Sequence, residues 1–369
     1  MSLRTDLEEW KSMGRMTRIS QTRLAKDLGV SQGLVSMVLN GRRENISPET
    51  YQRIWDHAFN LGYTPRGMKL NQSPVETARR QVGFVLRAGL NLHTQGSYFS
   101  HVLHGLHTAL SEKGYATVFL GAEDNLPVPR LRQFFHAGHA LKGVTILGQV
   151  NDAFLQQVRQ FSTRIVAVSS RHPGLCHSVL GNEPQAISSL VTHLAGLGHR
   201  RIGWIGGNAG LGRHEARHQA YLGALQAAGL KADSRYDIRQ KQGDRAEGAD
   251  AVYELRPLMR RRDFPTAFIT YNQQMARGAA STFKREGYDV PGDISIAAAD
   301  YSSLAHEEKP TLTAAGCDAE SLGRAAARLM LDTQDNEEGS YLDLTLASTL
   351  FLGETSGPAR SRSTSTVKS

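Results

Sequence analysis

The chain has 369 residues, 40% of them hydrophobic and 21% charged, with a formal net charge of +8. That balance excludes a wholly disordered or fibrous chain, and no run approaches the ~18 unbroken apolar residues of a membrane span. MSLRTDLEEWKSMGR lacks the apolar stretch of a secretory signal, and Cys176 and Cys317 lack disulfide-framework or ligand spacing, so a cytoplasmic, multidomain protein without membrane association is expected.

The first basic element is local. Gly14 to Gln72 carries nine basic residues against four acidic ones, whereas Ser73 to Glu354 is nearly neutral. A small basic module beside a neutral globule points to a polyanion partner at one end. Within it, Ser20 is placed to cap a helix QTRLAKDL that Gly29 stops. Ser31 caps a second helix, QGLVSMVLN, whose apolar residues Leu34, Val35, Val38 and Leu39 form one buried stripe. Its other face presents Gln32, Gly33, Ser36, Met37 and Asn40 beside Arg42 and Arg43. A third helix begins at Ser47-Pro48-Glu49, with Ser as cap, Pro at the first turn and Glu against the dipole. Helix, short Gly-containing turn, helix is the geometry of a helix-turn-helix. The second helix would enter the major groove while Ser20, Ser31, Asn40, Arg42 and Arg43 hold phosphates.

GVSQGLVSMVLNGRRENISPETYQRIWDHAFNLGYTP closely resembles the DNA-binding head of the lactose-repressor (LacI/GalR) family of bacterial transcription regulators. The pattern stands here as Val30-Ser31, Val35-Ser36, Val38-Leu39-Asn40-Gly41, Ser47-Pro48-Glu49-Thr50 and Leu61-Gly62-Tyr63-Thr64-Pro65. The resemblance implies that Gln32 and Gly33 read bases and that Ser31, Ser36, Asn40 and Tyr63 contact the DNA backbone. Met37 departs from the pattern, standing where many members carry an Arg able to fork onto guanine. The family's minor-groove hinge helix would fall on RGMKLNQSP, where Gly67, Asn71 and Pro74 weaken helix formation.

From Arg80 onward short apolar strands alternate with helices: QVGFVL, ATVFLG, GVTILG, RIVAVS, RIGWIGG, TAFITY and ISIAAAD stand among segments such as YFSHVLHGLHTALSEKG and ESLGRAAARLMLD. Near-continuous apolar strands between helices mean parallel sheets covered on both faces. A division near Ser189 gives two similar halves facing across a cleft at the strand ends. The expected fold class is therefore α/β: an all-α helix-turn-helix head joined to a bilobal, periplasmic-binding-protein-like domain of two doubly wound parallel sheets. The expected organisation is an N-terminal extension (1–15), the head (16–65), a hinge linker (66–79), the effector-binding and dimerisation domain (80–353) and a disordered tail (354–369).

The family resemblance extends over nearly all of 80–350 and implies an effector site. Tyr98 and Phe99 match positions that pack on the effector from the first lobe, and Arg217, Asn272 and Asp300 match those that hydrogen-bond it from the second. Aromatic faces cover apolar sugar or base surface while Arg and Asp satisfy its hydroxyls. Ser169, Gly181-Asn182 and Asn272-Gln273 depart from the family's acidic pattern, and Arg171 at a strand end joins the candidate effector residues. The implied partners are double-stranded operator DNA, a carbohydrate or related metabolite, and a second copy of the chain, with half-sites about 10 base pairs apart.

No cofactor or metal is expected. His101, His104 and His107, and His214 with His218, recur at helical spacing without a convergent carboxylate or Cys set. The glycines from Gly203 to Gly210 lack the dinucleotide-binding order. The rival readings are a solute-binding protein without a DNA role and an enzyme on the same scaffold, since fold does not fix function.

Overall fold

The structure, a computed structural model, describes residues 20–39, 46, 47, 50, 53, 54, 57, 80–89, 97–135, 141–302, 308–333 and 340–360. The chain divides into two compact units, Met1–Ser73 and Pro74–Ser369.

In the first unit, α1 (Gln21–Leu28) and α2 (Gln32–Leu39) follow the capping chemistry expected of them. Ser20 Oγ accepts the Arg23 amide at 3.2 Å, and Ser31 Oγ accepts that of Leu34 at 3.1 Å. Gly29 ends α1 at φ 65°, where its N–H bonds back to α1 carbonyls. Leu24, Ala25, Val35, Val38 and Ile54 form the buried core, with Leu28, Val30, Leu34 and Ile46 packed around it. The third helix is described only at Thr50, Arg53, Ile54 and His57, and the hinge linker 66–79 lies outside the described residues.

The second unit holds two six-stranded sheets. The first lobe contains β1 (Gln81–Leu86), α3 (Ser97–Glu112), β2 (Ala116–Ala122), α4 (Val128–Gln133), β3 (Gly143–Leu147), α5 (Asp152–Arg159), β4 (Ile165–Val168) and β5 (His177–Gly181). The second contains α6 (Glu183–Gly196), β6 (Ile202–Gly206), α7 (Gly212–Ala227), β7 (Asp237–Arg239), α8 (Arg245–Leu255), β8 (Ala267–Thr270), α9 (Gln273–Arg285), β9 (Ser295–Ala298) and β10 (Thr313–Gly316). The chain then returns to the first lobe with α10 (Ala319–Asp332) and β11 (Asp343–Leu346), and closes on the second with β12 (Thr349–Phe351). Strand orders are β11-β5-β4-β3-β1-β2 and β12-β10-β9-β8-β6-β7. Every pairing is parallel except that of β12 with β10.

The lobes are therefore connected three times, at Gly181–Glu183, Gly316–Ala319 and Leu346–Thr349, and a single division near Ser189 does not describe them. The apolar runs fill both sheet interiors: Val82, Phe84, Leu106, Val166 and Val168 pack with Leu322 and Ala326 in one lobe. Trp204, Tyr221, Ile269 and Ala297 pack with Ile187 and Leu190 in the other. Helices α3 and α10 approach so closely that a Cβ at Gly105 would overlap the Glu320 carbonyl, and one at Gly323 the Val102 carbonyl.

The expected disordered tail needs correction over its first seven residues. Thr355 is fully buried; its Oγ1 donates to the Ile296 carbonyl at 2.8 Å and accepts the Thr313 amide at 3.0 Å. The Ala359 amide bonds to the Leu197 carbonyl at 2.8 Å, and Arg360 pairs with Asp293. A Ser/Thr-rich composition reads as solvated, yet here its hydroxyls satisfy buried backbone beside β9 and β10. Residues 361–369 lie outside the described residues.

Candidate functional site

In the first unit the serine caps leave the start of α2 turned to solvent: Ser20, Ser31, Gln32, Gly33 and Met37 are exposed, and Ser36 is half-buried. A Cβ at Gly33 would meet nothing nearer than Ser31 Oγ at 4.0 Å, so packing does not demand glycine there. What glycine leaves is bare backbone on the first turn, which lets another molecule approach closely. Asn40, Arg42, Arg43 and Tyr63 lie outside the described residues.

In the second unit, Tyr98 and Phe99 at the start of α3 face Arg217, Asn272 and Asp300 across a recess of about 50 Å³ between the lobes. The two rings meet edge to face, with centroids 5.1 Å apart. Tyr98 Oη and Ser169 Oγ hydrogen-bond at 2.9 Å, and burial pushes the Tyr98 hydroxyl up from its ordinary range. Arg217 on α7 is 1% exposed. Its Nε donates to Glu183 Oε2 at 2.5 Å, its Nη1 to the Tyr271 carbonyl, and its Nη2 is buried without a hydrogen-bond partner. Asn272 lines the recess but also caps α9, accepting the Met275 amide at 2.9 Å and donating to the Gly243 carbonyl at 2.7 Å. Asp300 Oδ1 accepts the Gln273 amide at 2.8 Å; burial raises its carboxyl, against the pull of Arg217 and Arg213.

Arg171 does not join this group. It pairs with Asp343 at 2.7 Å, is more than half exposed, and lines a separate chamber of about 510 Å³ beside the Gly181–Glu183 crossing. Several residues of the interlobe space were not anticipated. Arg213, one helical turn before Arg217, donates Nε to Glu183 Oε1 at 2.7 Å and lies over the Tyr98 ring at 4.3 Å, joining the lobes. Glu183 thus carries both guanidinium groups; burial opposes its charge, but the two arginines outweigh that and hold its carboxyl below the usual range. Burial also opposes the Arg213 charge, and Glu183 outweighs it, keeping the guanidinium well above its ordinary value. Arg87 Nη2 reaches Asn208 Oδ1 at 3.0 Å, and the Gly212 amide reaches Gln149 Oε1 at 2.8 Å, both across the lobes. The i, i+4 spacing of Arg213 and Arg217 was the available signal; the crossing that brings Glu183 to them was not visible locally.

Ser169 at φ 61° and Asn208 at φ 54° are the non-glycine residues with positive φ among those described, and both line the interlobe space. Backbone held in this costly region persists where surrounding contacts over-determine it, here the Tyr98–Ser169 and Arg87–Asn208 bonds.

Among the described residues no three His, Cys, Asp or Glu side chains converge as metal ligands. His218 pairs with Asp237 at 2.8 Å and His214 Nδ1 with the Gly207 carbonyl at 2.8 Å. Burial pushes the Cys176 thiol up to about 12 and that of Cys317 to about 11, far from thiolate chemistry. No helix among the described residues is long and apolar enough to cross a membrane.

Residues 191–355 match the family profile of the periplasmic binding protein-like domain. The HTH-type transcriptional regulator CelR of Thermobifida fusca is 26% identical over 350 residues, covering 93% of this chain and 99% of the relative. The solved transcriptional regulator CelR–cellobiose complex is 25% identical over 92% of this chain and all of that one, with a TM-score of 0.62. The lac repressor dimer bound to operator and the anti-inducer ONPF shares the fold at 18% identity and a TM-score of 0.61, over 92% of this chain and all of that one.

Proposed function

The chain belongs to the LacI family of transcription regulators, and from that membership we propose that it is a homodimeric repressor of operator DNA, controlled by a small polyhydroxylated effector held between its lobes. The observation that carries this reading is the convergence of Tyr98, Phe99, Arg217, Asn272 and Asp300, from four separate points of the chain, on one interlobe recess. The relative solved with cellobiose and the one solved on operator as a dimer support the ligand class, the DNA partner and the dimer.

Each part has a physical role. Ser20 and Ser31 offer hydroxyls at helix starts, where phosphates are also favoured by the helix dipole. Gln32 and Gly33 face the base edges, with Met37 giving apolar contact without hydrogen-bond readout. Asn40, Arg42, Arg43 and Tyr63 add grip on the DNA backbone. A ligand between the lobes changes operator affinity to the extent that it binds the DNA-competent and incompetent arrangements unequally.

The test is anisotropy of a labelled fragment from the gene's own upstream region, titrated with the full chain at several salt concentrations. Saturable binding that weakens steeply with salt is expected, from released counterions. Gln32→Ala should narrow the preference over a scrambled fragment by roughly tenfold, the value of about one good base contact. Equal affinity for both fragments by the wild-type chain would refute operator reading.

A further inference from the structure

The interlobe space is divided in three: the Tyr98–Asp300 recess of about 50 Å³, an adjoining recess of about 30 Å³ against Arg87 and Phe99, and the chamber of about 510 Å³. Arg213 lines all three. Since one water occupies about 30 Å³ of liquid, neither recess accommodates a sugar ring in this arrangement, whereas the chamber falls in the range of small-molecule sites.

The hydrogen-bonding inventory of this space is lopsided. Its lining carries four guanidinium groups, Arg87, Arg171, Arg213 and Arg217, against two carboxylates, Glu183 and Asp300. Both oxygens of Glu183 are already engaged by Arg213 and Arg217. Donors remain unengaged. The Arg213 side chain uses Nε on Glu183 and its face on Tyr98, and no hydrogen bond among the described residues engages its two terminal amino groups. Arg217 Nη2 is also buried without a partner. Ser169, Asn182 and Thr345 add small polar groups to the chamber wall, and Leu180, Pro184 and Ala216 add apolar surface. An oxyanion is the partner that meets both the charge and the planar fork of a guanidinium with unengaged N–H groups.

We propose that the effector is an anion of carbohydrate size, bearing a carboxylate or phosphate, seated in the chamber with its acid group on Arg213. The proposal rests on the interlobe effector reading but moves the body of the ligand from the Tyr98–Asp300 recess to the chamber, with Arg213 as the residue the two share. Arg213 is then the specificity-determining residue: the group that joins the lobes through Tyr98 and Glu183 also recognises the ligand, so binding is felt at the lobe contact itself.

The experiment is differential scanning fluorimetry and calorimetric titration of the full chain with matched pairs: gluconate and glucose 6-phosphate against glucose, and galacturonate against galactose. Sodium sulfate at equal ionic strength sets the baseline. At least one acid should raise Tm above that baseline while its neutral counterpart does not, because ligand binding to the folded state stabilises it by mass action. Gluconate and galacturonate against glucose 6-phosphate separate a carboxylate from a phosphate ligand. Arg213→Ala should weaken binding of that acid at least tenfold. Arg213→Lys, which keeps the charge beside Glu183 and hence the fold, should weaken it to an intermediate degree. The proposal is overturned if no acid exceeds the sulfate baseline, if a neutral sugar stabilises as much as its acid, or if both Arg213 variants bind like wild type. A neutral sugar whose shift disappears in Asp300→Asn would overturn the anion while leaving the interlobe effector site standing; silence from every compound would count against both.

Discussion

Gly323→Leu should abolish stable folding of the first lobe, and Gly323→Ala should measurably weaken it. The Gly323 Cα faces the Val102 carbonyl and the Leu106 amide of α3, while Gly105 faces the Glu320 carbonyl of α10. Side-chain flexing cannot relieve contacts against backbone, so the helices must separate. That opens the core in which Val102, Leu106 and Leu110 pack with Leu322, Ala326 and Met330. Helix propensity alone favours alanine over glycine by roughly 0.5–1 kcal/mol, whereas overpacking costs about 1–3 kcal/mol, so the clash decides the sign. Leucine should exceed ~4 kcal/mol, the exceptional end of single substitutions. Urea denaturation of both variants checks this; a leucine variant with the wild-type midpoint would show that α3 and α10 do not pack this closely.

Glu183→Ala should destabilise the second unit by about 3–5 kcal/mol, the cost of removing one partner from a buried ion pair. Glu183 supports two guanidinium groups, one of them 1% exposed and both beside aromatic rings. Without it, Arg213 and Arg217 repel each other, with Arg217 almost wholly withdrawn from solvent. The same carboxylate gives an acid limb to stability. Its folded-state pKa is lowered, so its contribution is complete above the ordinary carboxylate value and is lost as pH falls through the folded one. Asp300 acts oppositely: its carboxyl is raised, so the folded state takes up a proton first and gains stability as pH falls toward the ordinary Asp range. Calorimetric melts from pH 7 to pH 3 should show a smaller acid loss in Glu183→Gln than in wild type. Parallel profiles would contradict the assignment.

The α/β alternation was legible because buried parallel strands are short, continuous apolar runs, and β1, β3, β4, β6 and β8 are buried along nearly their whole length. The return of α10 and β11 to the first lobe was not. Asp343–Leu346 is largely exposed and carries no apolar run, so only its long-range pairing with His177–Gly181 marks it as a strand. Thr355 was misleading for a related reason: a hydroxyl-rich segment looks solvated until the backbone it satisfies is known. Among the candidate effector residues, Tyr98, Phe99, Arg217, Asn272 and Asp300 share one recess. Arg171 does not, because Asp343, 172 positions away, takes its guanidinium. Arg213 and Glu183 escaped notice since each is an ordinary helix-surface residue until the crossing at Gly181–Glu183 sets them together.

The claim that the interlobe space controls the operator-reading head is tested most directly by DNA affinity measured with and without ligand. The Kd of the full chain for its own upstream fragment would be determined with each compound of the matched sugar and sugar-acid pairs, for wild type and for Asp300→Asn and Arg213→Lys. At least one compound should shift the wild-type Kd by roughly 5–150-fold, the usual span of allosteric coupling, and the shift should shrink in at least one of the two variants while their ligand-free affinity stays within about twofold of wild type. A Kd that no compound moves, or one that moves equally in all three proteins, would contradict it.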